Sequence, residues 1–276
     1  MSRTVLITGC SSGIGLDAAR TLTTRGWRVF ATCRNPADCE RLRAEGIESF
    51  PLDLADADSV AAGAAEALAR SGGHLDALFN NGAYAIPGAV EDLPRDALRA
   101  IFETNVFGQV DLTNRVLPAM RANGGGRIVM NSSVLGLAAL PWRGAYVATK
   151  FALEGVTDAL RLELRGSGVR VILIEPGPIA TAFRANCIPP FERWIDWRAS
   201  PHAEAYARTL LVRLYATDPT KDRFELPAGA VTAKLIRALE SPSPAPRYYV
   251  TTATHLLAAA KRLLPTRLLD ALAGGL

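Results

Sequence analysis

Long hydrophobic runs are the first thing this 276-residue sequence lacks. No uninterrupted apolar stretch reaches the roughly 20 residues that a membrane-crossing helix requires, so no integral membrane segment is expected. The opening "MSRTVLITGC" joins an apolar run of strand length to a glycine almost at once, which fits a buried first strand and not a signal peptide. Cysteine is scarce too. The four present, Cys10, Cys33, Cys39 and Cys187, form no CxxC pair and stand near no histidine cluster. That argues against a disulfide framework or a zinc site and for a reducing, cytoplasmic setting. The three histidines, His74, His202 and His255, are isolated, so no metal ligand set is visible. Excess charge of one sign is small. The net charge is +4, and Lys and Arg are spread along the chain without runs, which sets aside a nucleic-acid partner.

What is present is a globular balance of 49% apolar and 21% charged residues, long enough for one large α/β domain over 1–276. Short β-branched or apolar runs recur: "TVLIT" at 4–8, "RVFATC" at 28–33, "ESFPLD" at 48–53, "DALFNN" at 76–81, "RIVMNSS" at 127–133 and "RVILIEP" at 170–176. Between them, helices are predicted at 13–25, 56–71, 94–122 and 145–166, opening near Ser, Asp or Pro and closing near Gly. Such alternation predicts parallel strands joined by right-handed helical crossovers, with both sheet faces covered. Further on, a helix is expected at 228–240, a strand at "RYYV", and two leucine-rich helical pieces split by Pro265 in a C-terminal extension, 252–276.

"TGCSSGIG" sets Gly9, Gly13 and Gly15 directly after the first strand and at the mouth of the first helix. Glycines there permit a tight turn and let backbone N–H groups approach a pyrophosphate, which the helix N-terminus also favours. A second feature is "GAYVATKFALEG" at 144–155, where Tyr146 stands four residues before Lys150. Residues four apart share a helix face, so both side chains can enter one cleft. A phenol of pKa near 10 is a poor acid–base catalyst at neutral pH, and a nearby ammonium is expected to lower it.

The spacing Gly-x-x-x-Gly-x-Gly resembles that of the short-chain dehydrogenase/reductase family, and further motifs agree across residues 4–181. Asn80 and Asn81 match its paired asparagines, Asn105 in "NVFG" its Asn-x-x-Gly, and Tyr146 with Lys150 its Tyr-x-x-x-Lys, with Ser133 thirteen residues before the tyrosine. "PGPIAT" at 176–181 matches the loop over the nicotinamide. Within the family, "TGCSSGIG", "ATCRN" and "KFALEG" are most similar to the hydroxysteroid and retinol dehydrogenase branch, which includes bacterial NADP-dependent aldehyde reductases. One departure is Gly82-Ala83, where the family usually has Ala-Gly.

The resemblance implies a Rossmann-type doubly wound parallel sheet of about seven strands with helices on both faces. It implies catalytic Asn105, Ser133, Tyr146 and Lys150. Tyr146 gives a proton to the carbonyl oxygen, Ser133 orients and polarises that carbonyl, Lys150 also holds the nicotinamide ribose, and Asn105 anchors a water linking the lysine to solvent. Cofactor contacts are implied at Gly9, Ser11, Ser12, Gly13, Ile14, Gly15, Arg34, Asp53, Leu54, Asn81, Gly82 and Ala83. Others follow at Tyr146, Lys150, Pro176, Gly177, Ile179 and Thr181, with Asp53 receiving the adenine amino group.

An acidic residue at the end of the second strand binds the ribose 2′-hydroxyl in NAD enzymes. Here that position is Cys33, followed by Arg34. No carboxylate repels a 2′-phosphate and a guanidinium is shaped to bind one, so NADP is the expected cofactor. Residues 182–227 correspond to the family's substrate lid and hold Phe183, Phe191, Trp194, Trp197 and Tyr206. These aromatics either pack the lid on the body or receive a lipophilic small molecule: a steroid, a retinoid or a long-chain aldehyde. Three readings compete: a carbonyl reductase, a nucleotide-binding redox sensor without chemistry, and an enzyme held at a membrane surface by the C-terminal leucines. Packing of those helices on the same chain, or on a second subunit in a homo-oligomer, is the favoured use.

Overall fold

A computed structural model describes residues 2–217, 222 and 224–274, apart from the side chains of 272–274. The apolar runs form strands β1 (Thr4–Ile7), β2 (Arg28–Cys33), β3 (Glu48–Pro51), β4 (Ala77–Asn80), β5 (Gly126–Asn131) and β6 (Val169–Glu175). Between them run α1 (Gly13–Thr24), α2 (Pro36–Ala44), α3 (Ala57–Arg70), α4 (Arg95–Phe102), α5 (Gly108–Ala122) and α6 (Gly144–Glu163). After β6 come a short ladder of β7 (Ile179–Ala180) with β8 (Leu226–Pro227), and small helices α7 (Ile188–Trp194), α8 (Ala203–Ala205) and α9 (Leu211–Leu214). The chain finishes with α10 (Gly229–Glu240), β9 (Arg247–Tyr249), α11 (Thr252–Leu263) and α12 (Thr266–Gly274). Residues 218–221 and 223 of the expected lid, and 275–276 of the expected extension, lie outside the described residues.

The main sheet has seven parallel strands in the order β3-β2-β1-β4-β5-β6-β9. Its strands are apolar on both sides because successive side chains enter different cores. Val5, Ile7, Val129, Ile172 and Ile174 face Ala18 and Leu22 of α1 and Val231 and Leu235 of α10. Leu6, Ile128, Met130, Val171 and Leu173 face Val60 of α3, Leu112 and Val116 of α5 and Leu153 of α6. Each such aliphatic side chain stabilises the fold by about 1.5 to 3 kcal/mol when fully buried. The direction of winding reverses between β1 and β4, and the crevice at the carboxyl ends of these strands is where a doubly wound sheet takes its ligand.

Two expectations are corrected. Helix α2 was not anticipated: its nine residues carry few apolar side chains, and what starts it is local, with Asn35 accepting from the Ala37 N–H at 3.1 Å and proline in the first turn. The helix expected at 94–122 is interrupted by a π-helical turn at Glu103–Phe107. A third core explains the lid aromatics. Phe191 and Tyr206 are buried with Ile86, Ile101 and Ala145, so they pack the lid onto the body. The Tyr206 hydroxyl donates to Asp92 and accepts from the Ala89 N–H, both at 2.7 Å. Phe183 differs, meeting the Tyr146 ring edge-on at 5.5 Å between centroids.

Candidate active site

At the end of β1 the backbone of Gly9 has φ +71°, and a Cβ there would stand 2.7 Å from the Gly82 Cα. A Cβ on Gly15 would stand 2.3 Å from the Gly9 carbonyl oxygen, so the loop closes only with glycine at both positions. Ser12 precedes α1 without capping it through its side chain, which leaves the first N–H groups of the helix facing outward past Ser11, Gly13 and Ile14. An open, uncapped helix start over a glycine cradle fits a pyrophosphate. The Thr8 hydroxyl accepts from the Asn81 and Gly82 N–H groups at 2.9 Å each, and Asn81 Nδ2 donates to the Thr8 carbonyl at 2.9 Å. Gly82 and Ala83 are thereby tied to the mouth of the glycine loop. Thr181 hangs over the loop, with its methyl 3.1 Å from where a Cβ of Gly13 would be.

At the end of β2, Cys33 is buried and Arg34 exposed. Asp53 is partly turned inward, one carboxylate oxygen accepting from the Ala55 N–H at 3.0 Å. The carbonyl of Leu54 presses so close to α5 that a Cβ on Gly108 would be 1.9 Å from it, which accounts for the glycine of "NVFG". Arg41 of α2 was missed from sequence. Its Nη2 donates to the Ser11 carbonyl at 2.7 Å, placing a second guanidinium beside the glycine loop. The signal, an arginine one helical segment beyond Arg34, required α2 to be recognised.

Tyr146 and Lys150 lie on the buried face of α6, as their spacing predicts. Lys150 is 1% exposed, and its Nζ donates to the Asn131 carbonyl at 2.6 Å and lies 5.4 Å from the centre of the Tyr146 ring. Asn131 Nδ2 donates to Asn81 Oδ1 at 2.9 Å, so a continuous chain runs from glycine loop to lysine. Ser133 begins a short turn after β5, its Oγ accepting from the Leu135 N–H at 3.1 Å. The next residue, Val134, donates its N–H to the Pro176 carbonyl at 2.7 Å, which holds the loop of Pro176, Gly177, Ile179 and Thr181 against the serine. Asn105 is buried in the π-helical turn. Its side chain accepts from the Tyr84 N–H at 3.1 Å and donates to the Tyr84 carbonyl at 2.8 Å and the Thr149 hydroxyl at 3.2 Å. That side chain is committed to fixing Tyr84, so a water near Asn105 would have to be held by its backbone carbonyl, in a turn where the regular ladder is broken.

Burial raises the Tyr146 phenol well above its ordinary pKa, and a hydrogen bond with Ser133 offsets part of this. The Lys150 ammonium stands 5.4 Å from the centre of the same ring. Lys150 is itself lowered to about 8 by burial, opposed by the charge of Glu154 one turn along. Glu154 was also missed. It pairs with Arg247 of β9, which bonds Glu175 at 2.5 Å and Asp158 at 2.6 Å as well. The Glu175 carboxyl is raised to about 7, first by burial and then by Glu154.

Comparison with known proteins agrees with this geometry. The chain is 41% identical over 275 residues to the uncharacterized oxidoreductase YbbO of Escherichia coli, covering 100% of this chain and 95% of that one. It is 36% identical over 264 residues to human 17-beta-hydroxysteroid dehydrogenase type 1, covering 91% and 78%. The fold superimposes with a TM-score of 0.77 on a short chain dehydrogenase/reductase of Burkholderia phymatum solved in complex with NAD, at 26% identity, covering 95% and 92%. The profile of the short chain dehydrogenases matches residues 3–189. The chain belongs to the short-chain dehydrogenase/reductase family, whose members bind nicotinamide cofactors.

Proposed function

We propose that the protein is an NADP(H)-dependent reductase of lipophilic aldehydes or ketones, able to oxidise the matching alcohols. The observation that carries this reading is the convergence of Ser133, Tyr146 and Lys150 beside the glycine cradle, with Ser133 hydrogen-bonded to Tyr146 and Lys150 tied to the cradle through Asn131 and Asn81. When bound, the nicotinamide supplies the hydride. Gly9, Ser11, Ser12, Gly13, Ile14 and Gly15 would cradle its pyrophosphate, with Asn81, Gly82 and Ala83 beside the adenine ribose and Pro176, Gly177, Ile179 and Thr181 along the nicotinamide. Ser133 orients the carbonyl, and Tyr146 donates its proton to the carbonyl oxygen, where a phenol kept neutral by burial is the correct acid. Lys150 would hold the nicotinamide ribose, and the Asn105 turn supplies the route by which the proton is replaced. Phe183 against Tyr146 favours a lipophilic substrate. All four cysteines are unpaired, which suits the cytoplasm.

NADP is favoured because Arg34 is solvent-exposed at the end of β2, where a carboxylate would exclude a 2′-phosphate, and Arg41 lies at the loop. The test is kcat/KM for NADPH over NADH with a panel of aldehydes and ketones, in wild type and Arg34→Ala. A charge-assisted contact of about 1.5 to 3 kcal/mol corresponds to a ratio falling roughly ten- to a hundredfold in the variant. A wild-type ratio below one, or a ratio unmoved by the substitution, would remove NADP from the account.

A further inference from the structure

The start of α6 and the lid hold more positive charge than the proposed chemistry uses. Arg143 stands three residues before Tyr146, in a backbone set by an unusual neighbour. Trp142 has φ 63°, the only positive φ at a described residue other than glycine, in a region that a bulky side chain occupies at a penalty. Strain of this kind persists where the surrounding structure fixes a side chain for a purpose. Here the Gly88 N–H donates to the Trp142 carbonyl at 3.0 Å, and the arginine following it is half-buried at the start of α6.

The Arg143 guanidinium and the Cys187 thiol are near enough to act on each other electrostatically, and the thiol acts in the same way on Tyr146. Arg184, next to the Phe183 that touches Tyr146, and Arg213 press on Arg143 with like charge. The carboxylate at hand is Asp222, taken by Arg213 at 2.6 Å and approached by Arg184 at 4.0 Å. Among the described residues no carboxylate stands within ion-pair distance of Arg143, whose Nη1 reaches only the Trp142 carbonyl, at 3.3 Å. Burial and the two arginines hold its pKa below the ordinary value. A guanidinium half-buried with no carboxylate on it among the described residues is unfavourable, and an entering oxyanion would relieve it through a two-pronged hydrogen bond.

We infer that Arg143 binds an oxyanion carried by the substrate, so that the compound reduced at Tyr146 is an amphipathic oxo compound. Its carboxylate or phosphate rests on Arg143 within the field of Arg184 and Arg213, and its apolar part lies under the lid. The inference rests on the reductase reading.

The experiment compares two aldehydes of equal length, one ending in a methyl and one in a carboxylate, with NADPH and the full chain. The carboxylated compound is expected to be preferred in kcat/KM, and Arg143→Gln to lower the ratio of carboxylated to neutral substrate by roughly ten- to a hundredfold. Calorimetry with a non-reducible carboxylate of the same length reads the site without turnover. Binding by wild type that is lost in Arg143→Gln and partly kept in Arg143→Lys supports the inference even if no aldehyde is reduced, in which case the reductase reading alone fails. A phosphate ester in the same titration separates the two oxyanions. Wild type that binds neither anion, or a ratio that Arg143→Gln leaves unmoved, overturns it.

Discussion

At the scale of single residues, the site depends on two groups that burial pushes in opposite directions. Tyr146 is held neutral, and Lys150 is brought down to about 8. The lysine is charged below that pH and neutral above it, so reduction of a neutral aldehyde is expected to fall with unit slope as pH rises through about 8. Stability should move the other way. The unfolded lysine binds its proton up to about 10.4, so the unfolded chain holds more protons between the two values and the penalty of burying Lys150 shrinks as pH rises across that window. Measuring kcat/KM and unfolding free energy from pH 7 to 10 checks both. A rate that stays flat to pH 10 would place the lysine outside the reaction.

At the scale of elements, β9 and α6 are clamped by Arg247 against Glu154, Glu175 and Asp158. Glu175 is fully buried, so removing the cation leaves a carboxylate with no counter-charge. Arg247→Met is expected to destabilise the chain by about 3 to 5 kcal/mol at pH 8. The loss should diminish towards pH 5.5, because the native carboxyl, already raised to about 7, takes up a proton that the unfolded one does not. Denaturant unfolding at the two pH values checks this, and equal losses at both would contradict it.

This clamp was illegible in sequence, since it joins residues up to 93 positions apart and carries no local spacing. The six strands from β1 to β6 were legible because burial on both faces makes them continuous apolar runs. The interruption at Asn105 was not, because the π-helical turn is set by contacts with Tyr84 and Thr149, while the surrounding sequence reads as one helix. That Tyr146 and Lys150 share a helix face could be read from helical periodicity, whereas their roles were implied only by the resemblance. The burial that raises the phenol could not be read there, since it depends on what packs around α6.

At the scale of the whole molecule, α11 packs behind Ser133 and the Gly177 loop. Leu257 is buried against Val134 and Ala138 next to Ser133, the Lys261 ammonium lies 4.3 Å from the centre of the Phe151 ring on α6, and Thr251 caps α11 beside Gly177. Among the described residues no helix is long and apolar enough to cross a membrane. Ending the chain before residue 252 is therefore expected to lower Tm by several degrees and raise KM. Sedimentation with liposomes should change little, and strong vesicle binding that vanishes on truncation would favour an anchoring role instead.

The central claim is that the Tyr146 hydroxyl delivers the proton during carbonyl reduction. Its most direct test is Tyr146→Phe in the full chain, with NADPH binding followed by fluorescence and aldehyde reduction by NADPH consumption. Losing a general acid lowers turnover by roughly a hundred- to ten-thousandfold, while the cradle that binds the nucleotide is untouched. The account predicts that loss of turnover with NADPH affinity within about threefold of wild type, a difference well below 1.4 kcal/mol. A variant that retains more than about a tenth of wild-type turnover would contradict it.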